Sequence, residues 1–192
     1  MLIFISGGSA SGKSALAERA CMACPAPQHI YIATMPVRSD EDARKVARHH
    51  ALRAGRGFTA TLEMPGRLEP AAVPPDAAVL LECLSTFTAN RMFSGEASDD
   101  WLETLWKELL PLIDRPGPTV IVSADVGADG AVYDAATEDY RRVLTGLGVR
   151  LCARADAAVE AVCGRAVVHK GALPSAEFEN ADCHTGVRAG SQ

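Results

Sequence analysis

The residues best suited to chemistry lie near the start of the chain, in the segment GGSASGKS over residues 7–14. This segment matches the pattern G-x-x-x-x-G-K-[ST], with Gly7, Gly12, Lys13 and Ser14 in the fixed positions. Glycines allow such a loop to curl so that its backbone N–H groups point at phosphate oxygens, and the start of a following helix adds a favourable dipole. In this pattern the lysine reaches the β- and γ-phosphates, and the serine is a ligand of Mg²⁺.

The segments on either side of the loop support its interpretation as a phosphate-binding loop. An apolar strand precedes it and a segment with helical spacing follows it, which is the context that a phosphate-binding loop requires. We therefore predict that a nucleoside triphosphate binds here, in preference to a glycine-rich turn without a ligand. The motif alone does not name the reaction. The predicted nucleotide-binding residues of this loop are Gly7, Gly8, Ser9, Ala10, Ser11, Gly12, Lys13 and Ser14.

Two acidic residues stand at the ends of apolar segments further along the chain. Glu82 ends AVLLE, and Asp125 follows TVIVS closely. Open α/β sheets bind ligands at the carboxyl ends of their strands. We predict that Glu82 and Ser14 hold Mg²⁺, although a surface glutamate at a strand end is the alternative. Asp125 is predicted to be a second, catalytic acid at the same edge.

Two adjacent histidines, His49 and His50, lie among basic side chains in the segment RKVARHHALR over residues 44–53. One interpretation is a histidine that handles phosphate, and the other is a solvated helix face. Taken alone, the segment favours the solvated face, because charged runs on a helix usually lie in solvent. The choice therefore depends on what else the chain carries.

The elements that must position these residues alternate between strand and helix, since short apolar runs predict strands and 3.6-residue spacing predicts helices. The predicted strands cover residues 2–6, 29–34, 78–82, 119–123, 157–162 and 166–169, and the predicted helices cover residues 13–24, 40–54, 86–93, 99–113 and 138–147. This order predicts an α/β fold, with a mostly parallel sheet covered by helices on both faces. We expect residues 1–170 to form a single nucleotide-binding domain and the polar, aperiodic residues 171–192 to form a flexible tail.

The composition excludes several classes of protein. With 48% hydrophobic and 22% charged residues among 192, the chain is typical of a globular protein, and its net charge of −5 argues against a general nucleic-acid surface. No apolar run is long enough to span a membrane, and the start MLIFIS is interpreted as a strand and not a signal peptide. We therefore expect a cytoplasmic protein. The pair Cys21 and Cys24 has no second pair beside it, so we interpret it as reduced core thiols and not as a redox or zinc site.

Several segments, in this order, resemble the family of bifunctional adenosylcobinamide kinase / adenosylcobinamide-phosphate guanylyltransferases of cobalamin biosynthesis. The resemblance covers about residues 1–170. The phosphate loop is generic, whereas the other segments are much more specific in combination. These segments are GGSASGKS with ALAERA, YIAT, the helix ending in HHALR, VLLECLSTFTAN, VIVSADVG and CGRAVVHK.

The resemblance implies a RecA-like P-loop fold, a homotrimer and two reactions on one chain. The first phosphorylates the aminopropanol hydroxyl of adenosylcobinamide, a corrinoid, with ATP or GTP. The second transfers GMP from GTP to that phosphate, which gives adenosyl-GDP-cobinamide and pyrophosphate through a guanylylated histidine. By the spacing of the family pattern this histidine is His49, with Arg53 four residues later. We also assign Thr34, Arg53 and Glu63 to nucleotide binding, and we predict catalytic roles for Lys13, His49 and Asp125.

The chemistry of the residues agrees with this assignment. A neutral imidazole attacks an α-phosphate well, and the phosphoramidate that forms is labile enough to pass the group on. Neighbouring cations, Arg48 and Arg53, favour the neutral imidazole and offset the triphosphate charge as pyrophosphate leaves. His50 has no assigned role. With the resemblance included, we prefer the phosphate-handling histidine to the solvated face.

The chain departs from the family pattern in its second half. Where the family has Ser-Asn-Glu-Val-Gly, this chain has Ser-Ala-Asp-Val-Gly over residues 123–127, and an Asn-Gln near residues 148–149 is missing. A Gly-Ile-Val-Pro segment has become Gly-Ala-Val-Tyr at residues 130–133. Two alternatives therefore stay open, namely a P-loop kinase with one activity on another small alcohol and a nucleotide-binding subunit without chemistry.

Overall fold

A computed structural model describes residues 1–36, 39, 44, 55, 57–126 and 130–174 of the chain. The predicted histidine helix over residues 40–54 lies almost wholly outside the described residues, and so does the tail from residue 175 onward. The described elements are β1 (Leu2–Gly7), α1 (Lys13–Met22), β2 (His29–Ala33), β3 (Ala60–Glu63), a short 3₁₀ helix (Pro70–Ala72), β4 (Ala78–Glu82), α2 (Leu84–Met92), α3 (Trp101–Ile113), β5 (Thr119–Ala124), α4 (Ala135–Arg154), β6 (Ala157–Val162) and β7 (Arg165–Lys170).

Within the described residues, seven strands form one sheet in the order β3-β2-β4-β5-β1-β6-β7. All neighbouring pairs are parallel except β6 and β7, which form an antiparallel hairpin at one edge. The prediction of a mostly parallel sheet is confirmed. Because β5 lies between β1 and β4, the strand that precedes the phosphate loop is separated by one strand from the strand that ends in Glu82.

Helices cover both faces of the sheet, as predicted. Successive side chains of β1 point to opposite faces, so Ile3 and Ile5 pack against α1 while Leu2 and Phe4 pack against the layer of α2, α3 and α4. The central strands are apolar on both sides because neither face meets water. Because the neighbouring strands β3, β2, β4, β5, β1 and β6 run parallel, their carboxyl ends lie at one edge of the sheet.

Helix α4 extends well beyond its predicted limits of residues 138–147. The Asp134 side chain accepts a hydrogen bond of 2.9 Å from the Thr137 backbone N–H and caps the helix start. A buried stripe that includes Leu147 and Leu151 continues the helix to Arg154. A Cβ at Gly146 would lie 2.9 Å from a Leu102 methyl carbon, so this glycine permits close packing of α4 on α3.

Strand β3 is missing from the sequence prediction, and three other boundaries shift by a few residues. Its four residues are exposed or half-buried, so they carry no apolar run, and pairing with β2 defines the strand. Helix α1 ends at Met22, two residues before its predicted end, and α2 begins at Leu84, two residues before its predicted start. Helix α3 begins at Trp101, two residues after its predicted start, because Asp100 caps it. No helix in the described part of the chain is long and apolar enough to cross a membrane.

Candidate functional site

The phosphate loop connects β1 to α1 at the carboxyl edge of the sheet. Ala10 and Gly12 lie in the left-handed region, with φ of 56° and 88°, and these two residues turn the chain back toward the helix. The backbone N–H of Leu16 donates to Gly12 O at 3.0 Å, which starts the helix. Lys13 Nζ donates to Gly8 O at 2.9 Å, so the lysine folds over the loop.

A buried hydroxyl points to a missing partner inside the loop. Ser11 is only 8% exposed, and its Oγ has no hydrogen-bond partner in the described part of the chain. A Cβ at Gly7 would lie 2.6 Å from that Oγ and 2.7 Å from the backbone oxygen of Ala161, so a side chain at this position would displace backbone. Because a buried polar group without a partner costs free energy, the loop is built for a ligand that supplies one.

The turn between β6 and β7 packs directly on the loop. The Gly164 N–H donates to Ser11 O at 2.8 Å. A Cβ at Gly12 would lie 3.0 Å from Gly164 Cα, so the two backbones are in close contact. The hairpin therefore braces the phosphate loop from the side opposite β5.

Ser14 and Glu82, the two predicted Mg²⁺ ligands, are in direct contact. The Ser14 hydroxyl donates to Glu82 Oε1 across 68 positions of sequence. The Tyr31 hydroxyl donates to the other carboxylate oxygen, Oε2, at 2.9 Å. The carboxylate is thus held at both oxygens, at the point where β4 ends beside the first turn of α1.

The second acid, Asp125, lies immediately after β5. Its backbone N–H donates to Gly7 O at 3.0 Å, so the residue adjoins the base of the phosphate loop. Its side chain lines a cleft of about 350 Å³ between the ends of β1, β5 and β6 and the helix α4. The sheet therefore brings Lys13, Ser14, Glu82 and Asp125 to a single edge.

Comparison with known proteins decides the family. Over residues 3–168 the chain matches the family described as cobinamide kinase / cobinamide phosphate guanyltransferase. The chain belongs to this family. The bifunctional adenosylcobalamin biosynthesis protein CobU of Salmonella typhimurium is 30% identical over 169 residues, which cover 81% of this chain and 92% of that protein. The protein of the same name from Escherichia coli is 31% identical over 143 residues, or 66% and 76% of the two chains.

Among solved structures, the RadB recombinase is similar at a TM-score of 0.48 and 14% identity, with 91% of this chain and 82% of that chain covered.

Thr34, which we assigned to nucleotide binding, is fully buried beside Glu82. Its hydroxyl accepts from the Cys83 N–H at 2.8 Å and donates to Cys83 O at 3.0 Å. The Thr34 carbonyl accepts from the amide of Asn90 at 2.8 Å. These bonds hold the turn that follows Glu82, whose peptide bond to Cys83 is cis. The geometry favours a supporting role for Thr34, and its contact with a nucleotide stays a prediction.

The remaining predicted residues of this cobinamide kinase family member lie elsewhere. Glu63 ends the edge strand β3, four strands from β1, or roughly 19 Å at about 4.8 Å per strand. It can therefore meet only a part of a nucleotide that is remote from the loop. His49 and Arg53 fall outside the described residues, so their roles stay predictions.

Two residues that contact the candidate site, Tyr31 and Gly164, are not among the site residues predicted from the sequence. Tyr31 was known only as part of the YIAT segment, and Gly164 only as part of the terminal CGRAVVHK segment. Each contacts the site through a neighbouring strand or hairpin, and strand order cannot be read from local sequence. Four consecutive residues of β2 are buried, and Tyr31 is among them, so its phenol needs a hydrogen-bond partner inside an apolar layer.

The donors at Ser14 and Glu82 fit a magnesium ion. A hydroxyl and a carboxylate in contact are oxygen ligands of the kind that Mg²⁺ prefers, with phosphate oxygens and water as the remaining ligands. The described ranges contain no group of three or more His, Cys, Asp or Glu residues that could hold a metal ion.

The buried pair Cys21 and Cys24 supports the structural interpretation of the CMAC segment. Burial raises the pKa of the Cys21 thiol to about 12 and that of the Cys24 thiol to about 11. Metal binding and thiol exchange both require a thiolate. Both groups stay protonated near neutral pH and pack in the core beneath α1.

Proposed function

We propose that this chain performs both reactions of its family. It would phosphorylate the aminopropanol hydroxyl of adenosylcobinamide and then transfer GMP from GTP to the new phosphate. The observation that carries the proposal is the contact of Ser14 with Glu82 beside the phosphate loop, in a chain that matches the family over residues 3–168. Family membership supplies the acceptor, and the geometry supplies a place for the triphosphate.

In the kinase reaction, the acceptor oxygen forms a bond to the γ-phosphorus while the bond from that phosphorus to the β-phosphate oxygen breaks. The loop N–H groups and the Lys13 ammonium stabilise the charge that spreads over the phosphate oxygens. For this, Lys13 must exchange its hydrogen bond to Gly8 O for phosphate oxygens. We assign the Asp125 carboxylate the role of accepting the hydroxyl proton, and the support is its position after β5, beside the loop.

Ser14 and Glu82 would hold Mg²⁺ against the nucleotide, where the ion offsets charge on the β- and γ-phosphates. Tyr31 keeps the Glu82 carboxylate turned toward Ser14 through its bond to Oε2. This positioning matters because Mg²⁺ accepts only near-octahedral geometry.

In the second reaction, His49 is the proposed nucleophile. An imidazole nitrogen forms a bond to the α-phosphorus of GTP, and pyrophosphate leaves. The phosphate of the acceptor then attacks the same phosphorus, which breaks the N–P bond and regenerates the histidine. Support for this step comes from the spacing of His49 and Arg53 in the sequence and from the family.

The oligomeric state and the location of the protein are also proposals, and its nucleotide preference is open to measurement. We propose a homotrimer, by analogy with the family, and a cytoplasmic location, from the sequence. A choice of GTP or ATP for the kinase step is left to measurement, because the chain has no clear guanine-reading Asn-Lys-x-Asp segment.

A coupled assay tests the proposal with adenosylcobinamide as acceptor. Release of ADP or GDP with ATP or GTP reports the kinase reaction, and release of pyrophosphate with GTP reports guanylyl transfer. Both products are expected, and their continued release, beyond one pyrophosphate for each chain that is guanylylated, should require the acceptor. Nucleoside diphosphate without pyrophosphate would indicate a single-activity kinase. Binding of nucleotide, seen by thermal shift, without turnover of any tested acceptor would indicate a subunit without chemistry.

A further inference from the structure

A cleft of about 350 Å³ opens at the ends of three strands, on the face of the sheet that carries α4. We call it the strand-end cleft. Phe4, Val126 and Leu144 form its apolar part. Its polar and small lining residues are Ser6, Ser123, Asp125, Thr145, Gly148 and Glu160.

The strand-end cleft is continuous with the phosphate loop. Gly7 is the last residue of β1, belongs to the loop and also lines the cleft. Its carbonyl accepts the 3.0 Å hydrogen bond from the Asp125 N–H, which ties the loop to the cleft wall. A group held in the cleft therefore lies beside the first residue of the loop.

The lining favours hydrogen-bond donors and disfavours anions. It presents hydroxyl groups and two carboxylates, and none of the described side chains that line it is basic. Glu160 also contacts His169 Nε2 at 3.0 Å. Phosphate would meet repulsion from the two carboxylates, whereas alcohol and amide N–H groups would find acceptors. The cleft is thus chemically distinct from the loop next to it.

Residues from two of the three segments at which this chain departs from the family pattern meet in the same place, whereas residues 130–133 do not line the cleft. Ala124 and Asp125 belong to the altered segment after β5, and Gly148 lies where an Asn-Gln pair is missing. The two segments are far apart in sequence, yet Ala124, Asp125 and Gly148 all line the strand-end cleft. The departures therefore change the shape of one cavity together.

We propose that the strand-end cleft receives the hydroxyl-bearing amide arm of the corrinoid acceptor, with Thr145 and Ser123 as hydrogen-bonding partners and Gly148 leaving room for the arm. This inference rests on the proposed function and names the part of the molecule that recognises its second substrate. The arm carries an alcohol O–H and an amide N–H. Both can donate hydrogen bonds to the hydroxyl and carboxylate oxygens that line the cleft. From the cleft, the hydroxyl faces the phosphate loop.

The transfer balances with these groups alone. The hydroxyl oxygen bonds to the γ-phosphorus, the nucleoside diphosphate leaves, and the hydroxyl proton passes to the Asp125 carboxylate and then to solvent. No co-reactant beyond the two substrates is needed.

Two variants with one matched control test the cleft, each in the kinase assay at saturating nucleotide. Thr145→Val removes a hydroxyl and keeps the shape, so the KM for adenosylcobinamide should rise about two- to tenfold, as for loss of one hydrogen bond. Gly148→Leu should fill the cleft, because a Cβ there meets only an ordinary contact of 3.8 Å with Phe4. Its KM for the acceptor should rise at least about tenfold. Val149→Leu, at the next position of α4 and 65% exposed, should match wild type.

The nucleotide measurements separate the possible outcomes. The KM for nucleotide and the thermal shift with GTP should stay within about twofold of wild type in all three variants, because the loop itself is unchanged. An unchanged acceptor KM in both Thr145→Val and Gly148→Leu would overturn the assignment of the cleft, and so would an equal rise in the nucleotide KM. If wild type turns over no adenosylcobinamide, the proposed function fails and the cleft assignment fails with it.

Discussion

Tyr31 and Glu82, which are 51 positions apart, are joined by a 2.9 Å hydrogen bond from the phenol to the carboxylate Oε2. The two residues lie on the neighbouring parallel strands β2 and β4. Tyr31 is buried and packs edge-on against Phe58, so its ring has little freedom. The bond therefore fixes the orientation of the carboxylate that also contacts Ser14.

Tyr31→Phe should raise the Mg²⁺ concentration needed for half-maximal kinase activity by about threefold to tenfold, because one oriented bond to the carboxylate is lost. Turnover should recover at high Mg²⁺, since both metal ligands remain. Glu82→Gln should have a larger effect that excess Mg²⁺ does not reverse. Tyr140→Phe is the control, because it loses a phenol hydrogen bond of 3.1 Å that goes to Ser85 O and not to the Glu82 carboxylate. A normal Mg²⁺ titration for Tyr31→Phe would remove the positioning role.

Lys13→Ala should abolish turnover of nucleotide in both reactions while the protein stays folded. Within the described residues the Lys13 ammonium makes one hydrogen bond, an exposed one to Gly8 O, so little stability depends on it. The free energy of unfolding in urea should change by less than about 1 kcal/mol. Lys107→Ala, whose side chain is 70% exposed on α3, should leave both rates unchanged. A near-normal rate for Lys13→Ala would show that the loop does not bind the reacting phosphates.

His49→Ala should eliminate guanylyl transfer and leave much of the kinase activity, because γ-transfer needs the loop, the acid residues and the acceptor only. GTP labelled at the α-phosphate should give a protein adduct that is labile in acid and stable in base, as a phosphoramidate is. On a helix, Arg53 lies one turn from His49 on the same face, whereas His50 points about 100° away. His50→Ala should therefore keep the label. A label that maps to His50, or no label in wild type, would contradict the assignment.

Gly12→Ala should prevent nucleotide binding by pushing the loop off the β6–β7 turn. The residue has φ of 88°, and a Cβ would lie 3.0 Å from Gly164 Cα. Gly95→Ala separates strain from contact, because Gly95 also has φ of 88° but its Cβ would meet open space. Both variants should lose about 1–2 kcal/mol of stability from the left-handed backbone. Only Gly12→Ala should lose the thermal shift with GTP. Equal shifts in the two variants would show that the contact between Gly12 and Gly164 does not support nucleotide binding.

Stability should fall at alkaline pH because of Cys21. Burial, with a smaller contribution from Cys24, raises the pKa of the Cys21 thiol from 9.0 to about 12. Between these two pKa values the unfolded chain has lost the thiol proton and the folded chain still holds it. The contribution of this group to the free energy of unfolding is therefore complete below pH 9 and is lost as the pH rises toward 12. The slope is about 1.4 kcal/mol per pH unit for one such group. Urea unfolding between pH 8 and about 10.5, under reducing conditions, should show a shallower decline for Cys21→Ala than for Cys163→Ala, since Cys163 is exposed. Equal slopes would exclude the buried thiol as the cause.

The strands and helices of the site were predictable because they depend on short-range patterns. Apolar runs gave β4 and β6 with the observed limits, and the loop motif located the start of α1 at Lys13. Helix α4 was predicted too short because the buried stripe that extends it needs the neighbouring layer, and β3 was missed because its signal comes from pairing with β2. Local propensity is weak where tertiary packing decides an element.

By itself the sequence determined the phosphate loop, the alternation that makes an α/β sheet, and an acid at the end of an apolar strand. These features follow from residue type and spacing within about a dozen positions. Only the tertiary structure decided that β5 lies between β1 and β4, that Tyr31 holds Glu82, and that Gly164 braces Ser11. It also decided that α4 closes a cleft over three strand ends. Such contacts join residues tens of positions apart, and they form because each strand must bury both faces and each helix must cover one of them.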